Sequence, residues 1–274
     1  MKSTALDRAA AVPLYRGYAF DLDGTLYLGE APIPGAPEAV ERLRELGARV
    51  VFVTNKPLET NADYAAKLTR LGIPASPEDV VSSIDALLLY LRDRHEGRRL
   101  LPVAEPVVVE ALRGAGFEVS DDPDGAEVVV VSFDRTFDYD KLLRAYQAVR
   151  AGAVIVATNP DPYCPTPDGG LPDCAAMLAA IEACTGARAE AVVGKPSRHM
   201  AAAFLDRLGV EPHEAAMVGD RLRTDVLMGL EAGMAAVLVL SGATSRDAIA
   251  GAGIEPTHVV ADVTHLVPPA ERGS

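Results

Sequence analysis

Ala19-Phe20-Asp21-Leu22-Asp23-Gly24-Thr25 places two carboxylates two residues apart, where an apolar run stops at a glycine. Tyr18-Ala19-Phe20 reads as the end of a strand, and Asp23-Gly24 as the start of a loop. Two acids on one backbone turn repel each other unless positive charge lies beside them. A hard divalent cation such as Mg²⁺ suits such a pair, because it takes oxygen ligands and keeps several waters. The first acid can also act as a nucleophile and the second as a proton donor. A plain turn after a strand is the alternative, and this motif alone leaves it open.

Outward from this stretch the chain alternates short branched runs with longer helical patterns. Tyr18–Asp21 and Arg49–Thr54 read as strands, with a helix over Ala36–Leu46 between them, apolar at Ala36, Ala39, Val40, Leu43 and Leu46. Strand, helix, strand implies parallel strands with a right-handed crossover. Asn61–Leu71 reads as a further helix. Near the other end, Ala215–Val218 and Ala235–Leu240 read as strands around a helix over Arg221–Ala232, with Val259–Val260 as a last short strand. The middle repeats a β/α grammar of its own: helices at Ile84–Arg94, Val107–Ala115, Tyr139–Ala151 and Cys174–Thr185, strands at Glu127–Ser132 and Ala153–Thr158. The pattern predicts a Rossmann-like, doubly wound parallel α/β core over residues 1–82 and 188–274, with a smaller α/β domain inserted at 83–187.

The 274 residues suffice for one large domain or two ordinary ones, and 49% apolar content is that of a globular protein. A net charge of −13 argues against non-specific binding to nucleic acid or to anionic lipid. It also means that an anionic substrate needs local positive charge to enter. No segment approaches the ~20 apolar residues that span a bilayer. Met1–Arg8 lacks the apolar stretch of a secretory signal. Cys164, Cys174 and Cys184 match neither a zinc motif nor a disulfide framework, so reduced cysteines in a cytoplasmic protein are expected.

Three more pieces fall at strand ends, where open α/β sheets hold their ligands. Thr54-Asn55 offers a hydroxyl, an amide and backbone N–H groups for phosphate oxygens. Gly194-Lys195-Pro196 follows the apolar run Ala191–Val193, in a chain with only five lysines against 21 arginines. Lysine is a compact point charge suited to neutralising a carboxylate and a phosphate together, and Pro196 excludes a nucleotide P-loop. In Met217-Val218-Gly219-Asp220-Arg221-Leu222-Arg223-Thr224-Asp225, Asp220 can ligate a metal and Asp225 can orient it. A helix N-cap at Asp220 is compatible with that reading.

Together, Asp21-x-Asp23-Gly24-Thr25, Thr54-Asn55, Gly194-Lys195-Pro196 and Gly219-Asp220-x-x-x-x-Asp225 resemble the four motifs of the haloacid dehalogenase (HAD) superfamily. The long insert, with Phe133-Asp134-Arg135, Tyr139-x-Lys141-Leu142 and Ala157-Thr158-Asn159-Pro160-Asp161, resembles the α/β cap of the NagD-like branch. The resemblance implies a phosphatase in which Asp21 attacks phosphorus to give an aspartyl-phosphate. Asp23 then protonates the leaving alcohol and later deprotonates water. It implies Mg²⁺ held by Asp21, the Asp23 carbonyl and Asp220, with Asp225 behind them. Thr54 and Asn55 would hold the phosphoryl group, and Lys195 would tie nucleophile to phosphate. Such chemistry needs positioning and charge neutralisation above all.

Expected substrates are small phosphorylated metabolites: sugar phosphates, nucleoside monophosphates, phosphoglycolate, glycerol phosphate or pyridoxal phosphate. Nucleic acid and membrane are not expected as partners, and a homodimer through the cap is. The chain departs from the usual family pattern where Asp173 replaces the first glycine of Pro-Gly-x-Gly and where Leu101–Glu105 lacks a glycine, and Tyr163-Cys164 stands where some relatives that hydrolyse cofactor phosphates carry an aromatic-His pair. Tyr163 and Cys164 are expected to line the substrate pocket. A phosphotransferase using the same aspartyl-phosphate, or a non-catalytic ligand-binding regulator, are the alternatives.

Overall fold

The structure, a computed structural model, describes residues 12–166 and 169–268. The segment Met1–Arg8, read above for a secretory signal, lies outside the described residues. The chain divides into two compact units. One comprises 1–53, 62–80 and 204–274, and the other 54–61 and 81–203. The second unit thus takes in 54–61, 81–82 and 188–203 besides the 83–187 expected of the insert.

The first unit is built on a sheet in the order His258–Val260, Ala235–Val239, Ala215–Gly219, Gly17–Asp21, Arg49–Thr54, Val80–Ser82. The Gly17–Asp21 strand pairs in parallel with both neighbours, Gly17 facing Ala215 on one side and Arg49 on the other. Strand order therefore reverses around Gly17–Asp21, and the C-terminal ends of this strand and of Ala215–Gly219 lie side by side. Such a reversal point opens a crevice at the carboxyl ends of the strands. The helix Ala36–Glu45 starts after Gly35 with a proline in its first turn, and buries Ala36, Ala39, Val40 and Leu43. These side chains join Tyr18, Phe20, Phe52 and Val218 in one core.

The second unit carries a five-stranded parallel sheet in the order Ala191–Val192, Val154–Ala157, Val128–Val131, Arg99–Val103, Glu118–Val119. Val129, Val131, Ile155 and Ala157 pack with Ala145, Ala148, Met177 and Ile181 from the helices Tyr139–Arg150 and Cys174–Thr185. The helix Ser83–Arg94 opens with Asp85 accepting from the Ser82 N–H (2.8 Å) and the Ser82 hydroxyl (2.9 Å). Among the described residues no helix is long and apolar enough to cross a membrane.

Several elements depart from the sequence reading. The helix expected over Arg221–Ala232 is a π-helical turn, Leu222–Val226, followed by a short α-helix, Leu227–Glu231. The Arg221 carbonyl accepts from both Asp225 N (3.1 Å) and Val226 N (3.2 Å), which widens the turn that carries Asp225. A hairpin, Tyr163–Thr166 against Gly169–Pro172, lies between the strand and helix that the sequence pattern predicts on either side of it.

Candidate active site

In the first unit three carboxylates converge. Asp21 ends its strand, Asp220 follows the neighbouring strand directly, and Asp225 is held on the widened turn. One oxygen of each lies within 4.8 Å of the others. Asp220 and Asp225 are buried, and Asp21 is nearly so.

Each acid is fixed by its surroundings. Thr25 Oγ1 donates to Asp21 Oδ2 at 3.5 Å. Ala243 N donates to Asp220 Oδ2 at 2.6 Å, and Arg221 N to Asp225 Oδ2 at 3.1 Å. Gly24, with φ of 89°, turns the backbone after Asp23 in a conformation that side chains disfavour. The Ser241 hydroxyl holds its carbonyl at 2.8 Å. A Cβ at Gly24 or Gly242 would overlap the Asp220 carboxylate, and one at Gly219 would overlap Asp225.

Three buried acids collected in a cradle of glycines form an oxygen-only donor set, which fits a hard cation of the Mg²⁺ class. Asp23 lies outside this trio. Its side chain is exposed on the loop, and its backbone bridges to Tyr27.

The second unit brings together Asn55 and Lys195. Asn55 Oδ1 accepts from Lys195 N (2.7 Å), and Asn55 Nδ2 donates to Lys195 O (3.1 Å), so one side-chain amide brackets the whole residue. The second Nδ2 proton goes to Asp161 Oδ2 at 2.9 Å. Lys195 is buried. A Cβ at the preceding Gly194 would overlap Asn55 Oδ1 and the Thr158 carbonyl, so glycine is needed for this approach. Thr54 Oγ1 accepts from Lys56 N at 3.1 Å, which leaves its own proton for another acceptor.

The hairpin exposes Tyr163 and buries Cys164. At its foot, Asp173 accepts from Cys174 N (2.6 Å) at the start of the following helix, and more weakly from Asn159 Nδ2 (3.4 Å). Burial, aided by the charge of Asp161, pushes the Asp173 carboxyl up to about 6. Burial likewise pushes the Cys174 thiol up to about 11, which keeps it protonated and unreactive.

Sequence reasoning missed the Ser241-Gly242-Ala243 contacts to Gly24 and Asp220. The available signal was position: the segment follows the strand Ala235–Val239, at the same sheet edge as the acids. It also assigned no part to Asp161.

The haloacid dehalogenase-like hydrolase family model matches residues 18–118, and a HAD-hydrolase-like model matches residues 192–266. The chain is 37% identical to the sugar-phosphatase AraL of Bacillus subtilis over 84% of its own length and 85% of that protein. The chain belongs to the haloacid dehalogenase-like hydrolases. This hydrolase is also 32% identical to an acid sugar phosphatase of Staphylococcus epidermidis, over 94% of its length and 99% of that relative. Among solved structures it resembles the 4-nitrophenylphosphatase of Thermotoga maritima, with a TM-score of 0.87, 33% identity, and coverage of 92% and 96%. NagD of Escherichia coli aligns with a TM-score of 0.84 at 32% identity, covering 92% and 98%. The hydrolase is thus of the NagD-like branch, and its fold is the expected α/β one.

Proposed function

We propose that this hydrolase is a Mg²⁺-dependent phosphatase of small phosphomonoesters, with sugar phosphates foremost among its substrates. The observation that carries this reading is the meeting of Asp21, Asp220 and Asp225 at the ends of adjacent parallel strands. The relatives named as sugar phosphatases and 4-nitrophenylphosphatase support the choice of substrate class.

In this reading an Asp21 oxygen attacks phosphorus as the ester P–O bond breaks, and the leaving alkoxide takes the Asp23 proton. Water then attacks the aspartyl-phosphate, Asp23 removes its proton, and inorganic phosphate departs with Asp21 restored. Thr54 donates its hydroxyl proton to a phosphoryl oxygen, and Lys195 supplies compensating charge. Asp21, Asp220 and the Asp23 carbonyl would hold Mg²⁺, with Asp225 orienting them. When bound, the ion would offset the charge of carboxylates and phosphate together. Tyr163 and Cys164 are assigned to the substrate's alcohol portion.

Assaying p-nitrophenyl phosphate and a panel of sugar phosphates, with Mg²⁺ and with a chelator, tests the reading. The expected result is chelator-sensitive turnover, with kcat/KM highest for a sugar phosphate. Absence of turnover on every ester with Mg²⁺ present sinks it.

A further inference from the structure

The amide of Asn55 has two N–H donors and one acceptor oxygen. Both donors are engaged, one on Lys195 O at 3.1 Å and one on Asp161 Oδ2 at 2.9 Å. The oxygen takes Lys195 N at 2.7 Å. No donor of this side chain is left for a phosphoryl oxygen, so its work is mechanical. Like a neighbouring strand, it fixes the main chain of Lys195 from both sides.

The clamp is itself held. The Asn55 carbonyl accepts from Ser83 Oγ (2.7 Å) and Asn159 Nδ2 (3.2 Å), which anchors the backbone from which the amide projects. Asp161 sets the amide's rotation. With its carboxylate on one Nδ2 proton, the amide nitrogen cannot exchange places with the oxygen without setting an oxygen against a carboxylate. Asp161 is fixed in turn by Asn159 Oδ1, which accepts from Asp161 N (2.9 Å), and by Ala175 N, which donates to the Asp161 carbonyl (3.1 Å).

We propose that Asp161 is a positioning residue. Acting through Asn55, it locks the backbone at Lys195 and so aims the lysine ammonium in the phosphatase reaction. The inference rests on the phosphatase reading for its kinetic consequence, while the clamp itself is a property of the second unit. It makes the oxygen atom of Asp161 the requirement and its charge secondary, because an asparagine substituted there would still present an oxygen to Asn55.

The test compares Asp161→Ala and Asp161→Asn in the full chain. With p-nitrophenyl phosphate, Asp161→Ala is expected to lower kcat by about tenfold or more, as small misplacements of a charged group do, with KM changing less. Asp161→Asn should retain most of the activity. In a Lys195→Ala background the further loss from Asp161→Ala should shrink to below about twofold, since coupled residues are not additive. An undiminished loss in that background overturns the proposal, as does an Asp161→Asn variant as impaired as Asp161→Ala.

A second readout is independent of turnover. In protein labelled with ¹⁵N-lysine, with the Lys195 amide assigned through Lys195→Arg, that amide should exchange its hydrogen at least about tenfold faster in Asp161→Ala, because the bond protecting it is loosened. In Asp161→Asn it should stay close to wild type. Unchanged exchange in Asp161→Ala overturns the proposal even if activity falls. If wild type turns over no ester, the phosphatase reading fails and the exchange result alone decides on the clamp. If Asp161→Ala does not fold, Asp161→Ser, which is polar but too short to reach Asn55, takes its place in both measurements.

Discussion

Asp220 and Gly242 meet so closely that the carboxylate occupies the space a side chain at 242 would need. The Ala243 N–H then grips Asp220 Oδ2 at 2.6 Å. The segment after the last long strand of the sheet thus acts as a wall that aims Asp220 at Asp21 and Asp225. Gly242→Ala should push the carboxylate aside without altering the core. The expected outcome is a loss of about 10- to 100-fold in apparent Mg²⁺ affinity, the usual cost of disturbing groups behind a metal ligand. Titrating activity against Mg²⁺ measures it, and a wild-type titration curve would exclude the wall.

Asp21→Asn separates chemistry from folding. The amide keeps the size of the carboxylate but is no nucleophile, so turnover of p-nitrophenyl phosphate should fall to background. It also removes one of three negative charges whose oxygens lie within 4.8 Å of each other. Without Mg²⁺ these charges repel, so the variant should melt at or above the wild-type temperature in chelator. Mg²⁺ should then raise its Tm less than it raises that of wild type. Differential scanning fluorimetry with and without Mg²⁺ gives both numbers. Robust residual activity would exclude Asp21 as the nucleophile.

Much of this was legible in the sequence, for identifiable reasons. Buried parallel strands read as unbroken branched runs, so Arg49–Thr54 was found with its bounds intact, and Val128–Val131 within a residue at each end. Strands containing proline and glycine hid themselves. Pro102 argues against the interior strand Arg99–Val103, yet it falls past Val119, the last residue of the short neighbouring strand. Pro165, Pro172, Gly169 and Gly170 disguised the hairpin in the same way. The widened turn at Leu222–Val226 was invisible, because a π-turn leaves no mark in a helical period. Asp21, Asp220 and Asp225 were readable because each sits within a few residues of a strand end. The bracket of Asn55 around Lys195 was not, because it joins segments 140 residues apart through an amide that carries no chemical signature of its own.

Lys141 Nζ lies 2.5 Å from Asp134 Oδ2, and the Asp134 side chain is completely buried. The other Asp134 oxygen serves Thr136 N (2.9 Å) and Thr136 Oγ1 (2.7 Å). Lys141→Met keeps the aliphatic stem and deletes the charge, leaving a buried carboxylate with only neutral partners. Removing one member of a buried pair costs about 3–5 kcal/mol. The two threonine bonds soften this, so a loss of about 2–3 kcal/mol is expected from urea unfolding. A change within about 0.5 kcal/mol, the range of ordinary surface substitutions, would show that the pair contributes nothing net.

Asp173 supplies a pH signature. Its carboxyl is raised from 3.8 to about 6, first by burial and then by Asp161, against the opposing pull of the Cys174 N–H, Asn159 and Lys56. A raised acid binds its proton more tightly in the folded state than in the unfolded one. Stability must therefore fall as pH rises from the unfolded value toward the folded one, and the penalty is complete above it. The side chain of the Asp173→Asn variant has no proton to lose, and asparagine caps a helix as well as aspartate does. Asp173→Asn should accordingly match wild type near about pH 4 and exceed it at about pH 7–8. The margin should be at most roughly 3 kcal/mol, taking about 1.4 kcal/mol for each pH unit by which the group is displaced. Urea unfolding of both proteins across that range tests the sign directly. If wild type gains on the variant as pH rises, the folded protein prefers Asp173 ionised, and the charge at the foot of the hairpin is a stabilising one.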